Sequence, residues 1–114
     1  MTTEEVLNHH LQSFGKGDVE ALMEDYTEES VVITPTDTLN GLDAIRGLFT
    51  ALTTQMLPPG CDFQMIKTEI IGEVAYVFWN AASETHTFTA ATDTLLVTDG
   101  KITVQTFAAH IEVK

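Results

Sequence analysis

The chain has 114 residues, which allows one domain and no more. Hydrophobic residues make up 44% and charged residues 19%, so a packed core is available and disorder by composition is excluded. The net charge is −12, and four lysines with a single arginine, Arg46, cannot build the basic patch that nucleic acid or an anionic membrane demands.

The first element is an amphipathic helix opened by a capping box, Thr2-x-x-Glu5, with acids in its first turn to suit the helix dipole. Its apolar stripe is Val6, Leu7, Leu11 and Phe14; His10 falls inside the stripe and His9 outside. Gly15 and Gly17 end it, and Asp18 is a good N-cap for a second helix that buries Val19, Leu22, Met23 and Tyr26. A short strand, Val31 to Pro35, follows. A third helix with Ile45, Leu48, Phe49 and Leu52 on one face is expected to stop before a Thr53–Gly60 loop, where Pro58 and Pro59 forbid helix.

Strand signals then take over. Phe63–Ile71 and Val74–Ser83 flank a Gly72-Glu73 hairpin turn, and Thr87–Thr98 and Lys101–Val113 flank Asp99-Gly100, where glycine tolerates positive φ. Helices first and a meander afterwards predict an α+β fold: a cone-shaped barrel with N-terminal helices packed in a strongly curved, mainly antiparallel sheet. The whole chain, 1–114, forms the single domain, and such a fold encloses a pocket.

Charge along the strands adds to this. Val74–Ser83 carries none and Thr85–Thr98 carries only Asp93. A sheet with one wet face alternates apolar with polar or charged residues, so two dry faces predict that one covers the helices and the other meets a second subunit. A homodimer through the outer sheet face is the expected assembly. By alternation Gln105, Phe107 and Ala109 share one face of the last strand, with Thr106 and His110 opposite. The lone cysteine, Cys61, excludes an internal disulfide and fits a reducing, cytoplasmic setting. Met1 is followed by Thr-Thr-Glu-Glu instead of an apolar run, so no signal peptide is expected, and no stretch approaches the ~20 apolar residues of a membrane span.

The segments Phe14-x-x-Gly17-Asp18-Val19-x-x-Leu22, Tyr26-x-x-Glu29-x-Val31, Gly41-x-x-Ala44-Ile45-Arg46 and Asp99-Gly100-Lys101-Ile102 resemble the nuclear transport factor 2-like superfamily. Within it the chain is most similar to the SnoaL-like group of small proteins related to ketosteroid isomerases and polyketide cyclases. The resemblance covers essentially the whole chain and implies the α+β cone and a dimer paired through the outer sheet face. Its motifs are turns and caps, and members range from isomerases, cyclases and dehydratases to domains without catalysis. Counted back from Gly17-Asp18, His10 stands where the isomerases have an oxyanion-hole tyrosine; counted back from Asp99-Gly100, Asp93 matches their protonated oxyanion-hole aspartate. Their general base is an aspartate before a proline on the first strand, where this chain has Thr34-Pro35. Threonine cannot take a proton from carbon at neutral pH, so steroid isomerisation by that route is not expected.

Asp93 is the sharpest candidate: a lone carboxylate in an uncharged strand is costly to desolvate unless paired or protonated, and burial raises its pKa. It is the candidate acid or base, with His10 as its partner; the alternative is an Asp93 that caps a bulge or faces solvent and a His10 that is merely a satisfied core residue. Tyr26, Thr34, Phe14, Asn80, Gln105 and Phe107 are the expected pocket-lining residues, and Trp79 a large wall residue. Arg46 reads as a surface or interhelix salt bridge. No metal is expected, since His9-His10 diverge on a helix and no His-x-x-x-His or Cys-x-x-Cys occurs; no cofactor is expected, since no phosphate cradle occurs. Cys61 has no fixed histidine nearby to make it a nucleophile. Two functional classes remain: a cofactor-independent isomerase, cyclase or dehydratase acting on a small apolar carbonyl compound, and a non-catalytic ligand-binding or dimerisation module.

Overall fold

A computed structural model describes residues Met1–Lys114. Helix α1 spans Thr3–Lys16 and α2 spans Val19–Met23; strands β1 (Val31–Ile33) and β2 (Thr38–Asn40) precede helix α3 (Gly41–Ala51). Four long strands complete the chain: β3 (Asp62–Ile71), β4 (Val74–Ala82), β5 (His86–Thr98) and β6 (Lys101–Val113). They form a six-stranded mixed sheet of order β2-β1-β6-β5-β4-β3, in which only β1 and β6 run parallel. No helix is long and apolar enough to cross a membrane.

Local chemistry explains these elements. The capping box of α1 is complete: the Thr2 hydroxyl accepts from the Glu5 amide at 3.1 Å and the Glu5 carboxylate accepts from the Thr2 amide at 2.8 Å. Gly17 ends the helix at φ 67°, and its amide donates to the carbonyl of Phe14. Asp18 caps α2 through the Ala21 amide at 3.0 Å. The β5–β6 hairpin turns through Asp99 and Gly100, both at positive φ, the turn whose twist matches paired strands.

Three expected boundaries change. Helix α2 stops at Met23, so Tyr26 lies beyond the helix, though buried as expected. The strand at Val31 ends at Ile33 and is joined by a second short strand, β2. Helix α3 does not yield to a loop at Thr53; it widens into a π-helical turn, Leu52–Met56, in which the Thr53 and Thr54 hydroxyls bond back to the carbonyls of Phe49 and Thr50. Pro58 therefore stops the helix four residues later than expected, after Met56.

The core lies between the helices and one sheet face. Ala75, Val77, Trp79 and Ala81 of β4, and Phe88, Ala91, Leu95 and Val97 of β5, point at Val6, Leu7, Leu22, Ile45 and Phe49. Register shifts between Phe88 and Ala90 and between Met65 and Lys67 break the period-two pattern, so Phe88 and Ala91 both face inward across a bulge. On β6, Gln105 and Ile102 are buried while Thr106, Ala108 and His110 are exposed, the face assignment expected from alternation.

Candidate functional site

Asp93 lies on the inner face of β5 between two diagonal neighbours. Trp79 on β4 pairs with Ala91, and Gln105 on β6 pairs with Leu95, so each is offset from Asp93 by two residues along the strand. Both reach it. The Trp79 indole Nε1–H donates to Asp93 Oδ2 at 2.8 Å, and Gln105 Nε2 donates to Asp93 Oδ1 at 3.0 Å. The Gln105 carbonyl accepts a short hydrogen bond from the Tyr26 hydroxyl, which fixes the amide with its NH2 towards Asp93. Tyr26 Oη in turn lies 3.5 Å from His10 Nδ1. With the hydroxyl hydrogen committed to Gln105, the network assigns the Nδ1 proton to His10, which leaves Nε2 as an acceptor.

Burial tunes these groups. Asp93 is 8% exposed, and desolvation raises its carboxyl to a pKa of about 6, opposed by the hydrogen bonds from Trp79 and Gln105. His10 is pushed down to about 4 by burial, with the charge of His9 adding to the effect, so it is a neutral imidazole. Burial also drives the Tyr26 phenol well above its ordinary value, reinforced by Asp93 and Asp25, which makes it a donor and not a base. The result is a carboxylate whose two oxygens each accept one neutral N–H, with no cation beside it. Such a group can take a proton from a bound molecule near neutral pH.

A narrow cavity opens onto Asp93. It is lined by His10, Leu11 and Phe14 of α1, by Leu48, Phe49 and Leu52 at the end of α3, and by Phe63, Trp79, Asp93, Gln105 and Phe107 of the sheet. Its volume is about 30 Å³, room for a couple of water molecules. The walls are aromatic: Trp79 stacks on Phe107 at 6.4 Å and on Phe88 at 5.7 Å, and Phe49 meets His10, Phe14 and Tyr26.

Five of the expected residues, His10, Phe14, Asp93, Gln105 and Phe107, line this one cavity. His10 and Asp93 share no direct hydrogen bond; they are linked through Tyr26 and Gln105, and Tyr26 stands one layer behind the cavity wall. Three expectations are thus corrected, since Tyr26, buried behind the wall, does not itself line the cavity, and neither do Asn80 and Thr34. Asn80 does not line the cavity: it falls between the buried Trp79 and Ala81, and alternation turns it to the other face, across from Gln64. Thr34 also lies elsewhere. It closes the β1–β2 turn, where its hydroxyl accepts from the Asp37 amide at 3.0 Å and its own amide donates to the Asp37 carbonyl at 2.9 Å.

Outside the cavity, Arg46 makes the expected interhelix salt bridge, reaching Glu20 at 3.1 Å and Asp43 at 3.5 Å. A pair that sequence reasoning missed joins His9 Nδ1 to the buried Asp25 at 2.8 Å. Burial raises the Asp25 carboxyl, and the His9 contact pulls it back. The role of Trp79 as the anchor of Asp93, beyond a wall residue, was equally unanticipated.

The model of the SnoaL-like domain matches residues 7–105. No curated protein matches the sequence. Among solved structures, a Mesorhizobium loti nuclear transport factor 2-like protein of unknown function is 22% identical with a TM-score of 0.77, covering 95% of this chain and 90% of that one. A Sinorhizobium meliloti protein provisionally named as a polyketide cyclase is 17% identical with a TM-score of 0.75, covering 90% and 93%. The epoxide hydrolase/cyclase-like enzyme SalBIII of salinomycin pyran-ring formation is 20% identical with a TM-score of 0.79, covering 98% and 95%. At these identities the likeness is one of fold. The chain belongs to the SnoaL-like domain family and has the nuclear transport factor 2-like fold.

Proposed function

We propose that this protein binds a small apolar carbonyl compound in the cavity before Asp93 and moves a proton on it without a cofactor, as an isomerase, cyclase or dehydratase does. One observation carries the reading: a buried carboxylate in an aromatic cavity, held by two neutral donors and titrating at about 6. Asp93 is the proton acceptor. His10, neutral and with Nε2 unprotonated, orients the ligand from the α1 side and does not supply a charge. With threonine at position 34, the basic role falls to Asp93 and not to the first strand. The provisional cyclase and SalBIII, which share the fold, make cyclisation and ring chemistry natural members of this class.

A second reading has its own support, the cavity's volume of about 30 Å³ against the ~300–1,000 Å³ of ordinary ligand pockets. On that reading the chain is a non-catalytic binding or dimerisation module. One experiment separates them. Incubation with methyl ketones and β-diketones in deuterium oxide, followed by proton NMR, should show α-hydrogen exchange whose rate rises through pH about 6 and then levels, because the ionised Asp93 is the active form. Asp93→Asn should lower the exchange ~10²-fold or more. Ligand binding without any exchange above the solvent rate would establish the non-catalytic reading instead.

We also infer a homodimer through the outer face of β4, β5 and β6. At the centre of that face the residues that alternate with the core, Tyr76, Phe78, Thr92, Thr94, Thr106 and Ala108, carry no charge, and Glu112 lies only at the far end of β6. Light scattering should give twice the monomer mass at micromolar concentration; a monomer would overturn the assignment.

A further inference from the structure

A second cavity lies beside the first and shares three of its walls. It has a volume of about 140 Å³ and is lined by Leu11, Phe14 and Phe63, which also line the Asp93 cavity, and by Gly15, Leu57, Pro58, Gly60 and Cys61. The two differ in chemistry. The inner one ends on Asp93, Gln105 and His10, whereas the outer one offers no charged side chain and no polar side chain except the Cys61 thiol. The partition between them is made of side chains alone. Phe63 is 45% exposed at the start of edge strand β3 and meets Trp79 at 5.4 Å; Phe14 lies in the last turn of α1 beside Gly15, around which there is open space. Aromatic side chains at such positions move between staggered rotamers without any change in the backbone.

The outer wall, by contrast, is rigidly set. Pro59 packs against Gly17 so closely that a Cβ there would come within 2.8 Å of the proline ring, and the π-helical turn delivers Leu52 to the inner cavity and Leu57 to the outer one. A fixed apolar chamber, a movable aromatic partition and a buried polar end lie in series.

Resting on the proposed function of the Asp93 site, we infer that the two cavities are one binding site with an outer chamber for an aliphatic tail, so that the ligand is an elongated amphipathic molecule. Its hydrogen-bonding head sits at Asp93 and Gln105, and its unbranched tail passes between Phe14 and Phe63 to end near Cys61. Neither cavity alone accounts for such a ligand: the inner one is too small for the tail, and the outer one has nothing to hold the head.

The two ends carry separate reporters. Trp79 is the only tryptophan and touches Asp93, so its fluorescence reads the head; Cys61 is the only thiol, so its rate of modification reads the tail. Burial raises the Cys61 pKa, and labelling is therefore done at mildly alkaline pH. The probes are butanone, hexanone, octanone and decanone, all methyl ketones. Each should shift Trp79 fluorescence, with affinity rising about three- to fourfold per methylene added until the chamber is full. Octanone and decanone, but not butanone, should slow Cys61 modification tenfold or more. Cys61→Phe, which fills the outer chamber, should bring the affinity for octanone down to that for butanone while leaving the butanone response intact.

Failure has distinct forms. If Trp79 responds but affinity does not depend on tail length and Cys61 stays unprotected, the head site stands and the tail chamber is refuted. Cys61 protection without any Trp79 response would make the outer cavity an independent site and refute the single elongated one. Silence of both reporters to every ketone would overturn the chamber and the Asp93 binding reading together.

Discussion

At the residue scale the site rests on two buried titratable groups with opposite demands. Asp93 is raised from 3.8 to about 6, so the folded state holds its proton more tightly than the unfolded chain does. Its contribution to stability is full below pH 3.8 and is lost as pH rises through about 6. His10 is lowered from 6.5 to about 4, so its contribution is full above pH 6.5 and is lost as pH falls through about 4. Each displacement corresponds to about 3 kcal/mol. Between pH about 4 and about 6 the two nearly offset one another, and the pair leaves little net pH dependence in the wild type. The single variants should unmask it. Relative to wild type, Asp93→Asn should gain about 3 kcal/mol across that window as pH rises, and His10→Gln should lose about as much. Urea unfolding at a series of pH values measures both, and parallel curves for wild type and Asp93→Asn would show that Asp93 titrates normally. Trp79 offers a direct check, because its indole donates to the titrating oxygen. Wild-type fluorescence should inflect near pH 6, and the inflection should be absent in Asp93→Asn.

At the element scale, two glycines two positions apart in sequence should respond in opposite directions. Gly15 lies inside α1 with open space where a Cβ would go, so Gly15→Ala should gain ~0.5–1 kcal/mol from helix propensity alone. Gly17 caps the same helix at φ 67° with Pro59 at 2.8 Å from the would-be Cβ, so Gly17→Ala should cost at least ~1–2 kcal/mol. Denaturant midpoints for the two variants test the pair, and equal shifts would refute it. The same scale shows how much was legible in the sequence. Capping boxes, the Asp99-Gly100 turn and period-two alternation act through near neighbours, so α1, β6 and the faces of the last strand follow from local pattern. Strand β2 has only Thr38-Leu39-Asn40 and no periodicity to read. The π-helical turn depends on threonine hydroxyls bonding back to the preceding turn, which looks from sequence like the start of a loop. The pairing of Trp79 with Asp93 requires the β4–β5 register, and the shift between Trp79 and Ala81 defeats simple counting back from the hairpin. Asn80 misleads for a related reason: a polar residue in an apolar strand signals the cavity only if its face is known. His9 and Asp25 carry no sequence signal that they meet.

At the scale of the whole molecule, charge and apolar surface are segregated. The net charge of −12 is spread over helices, turns, the β3 edge and the ends of the long strands, while the centre of the outer face of β4–β6, from Tyr76 and Phe78 to Thr106 and Ala108, has no acidic or basic side chain. Joining two copies through that face therefore gains apolar burial but brings two strongly negative bodies together. The repulsion is long-range and screened, with a Debye length of about 10 Å at 0.1 M salt, whereas the apolar contact is not weakened by salt. The proposed dimer should accordingly tighten as salt is added, the reverse of an interface held by salt bridges. Sedimentation equilibrium between ~20 and ~500 mM sodium chloride should show the dissociation constant falling, and a rise would mean that charged residues make the contact. Thr106→Lys separates the two contributions. A lysine on the shared face adds attraction to an acidic partner at long range but must be desolvated on contact, and desolvation dominates at short range. The variant should therefore be monomeric at every salt concentration while keeping the wild-type unfolding midpoint of the monomer, because Thr106 is exposed.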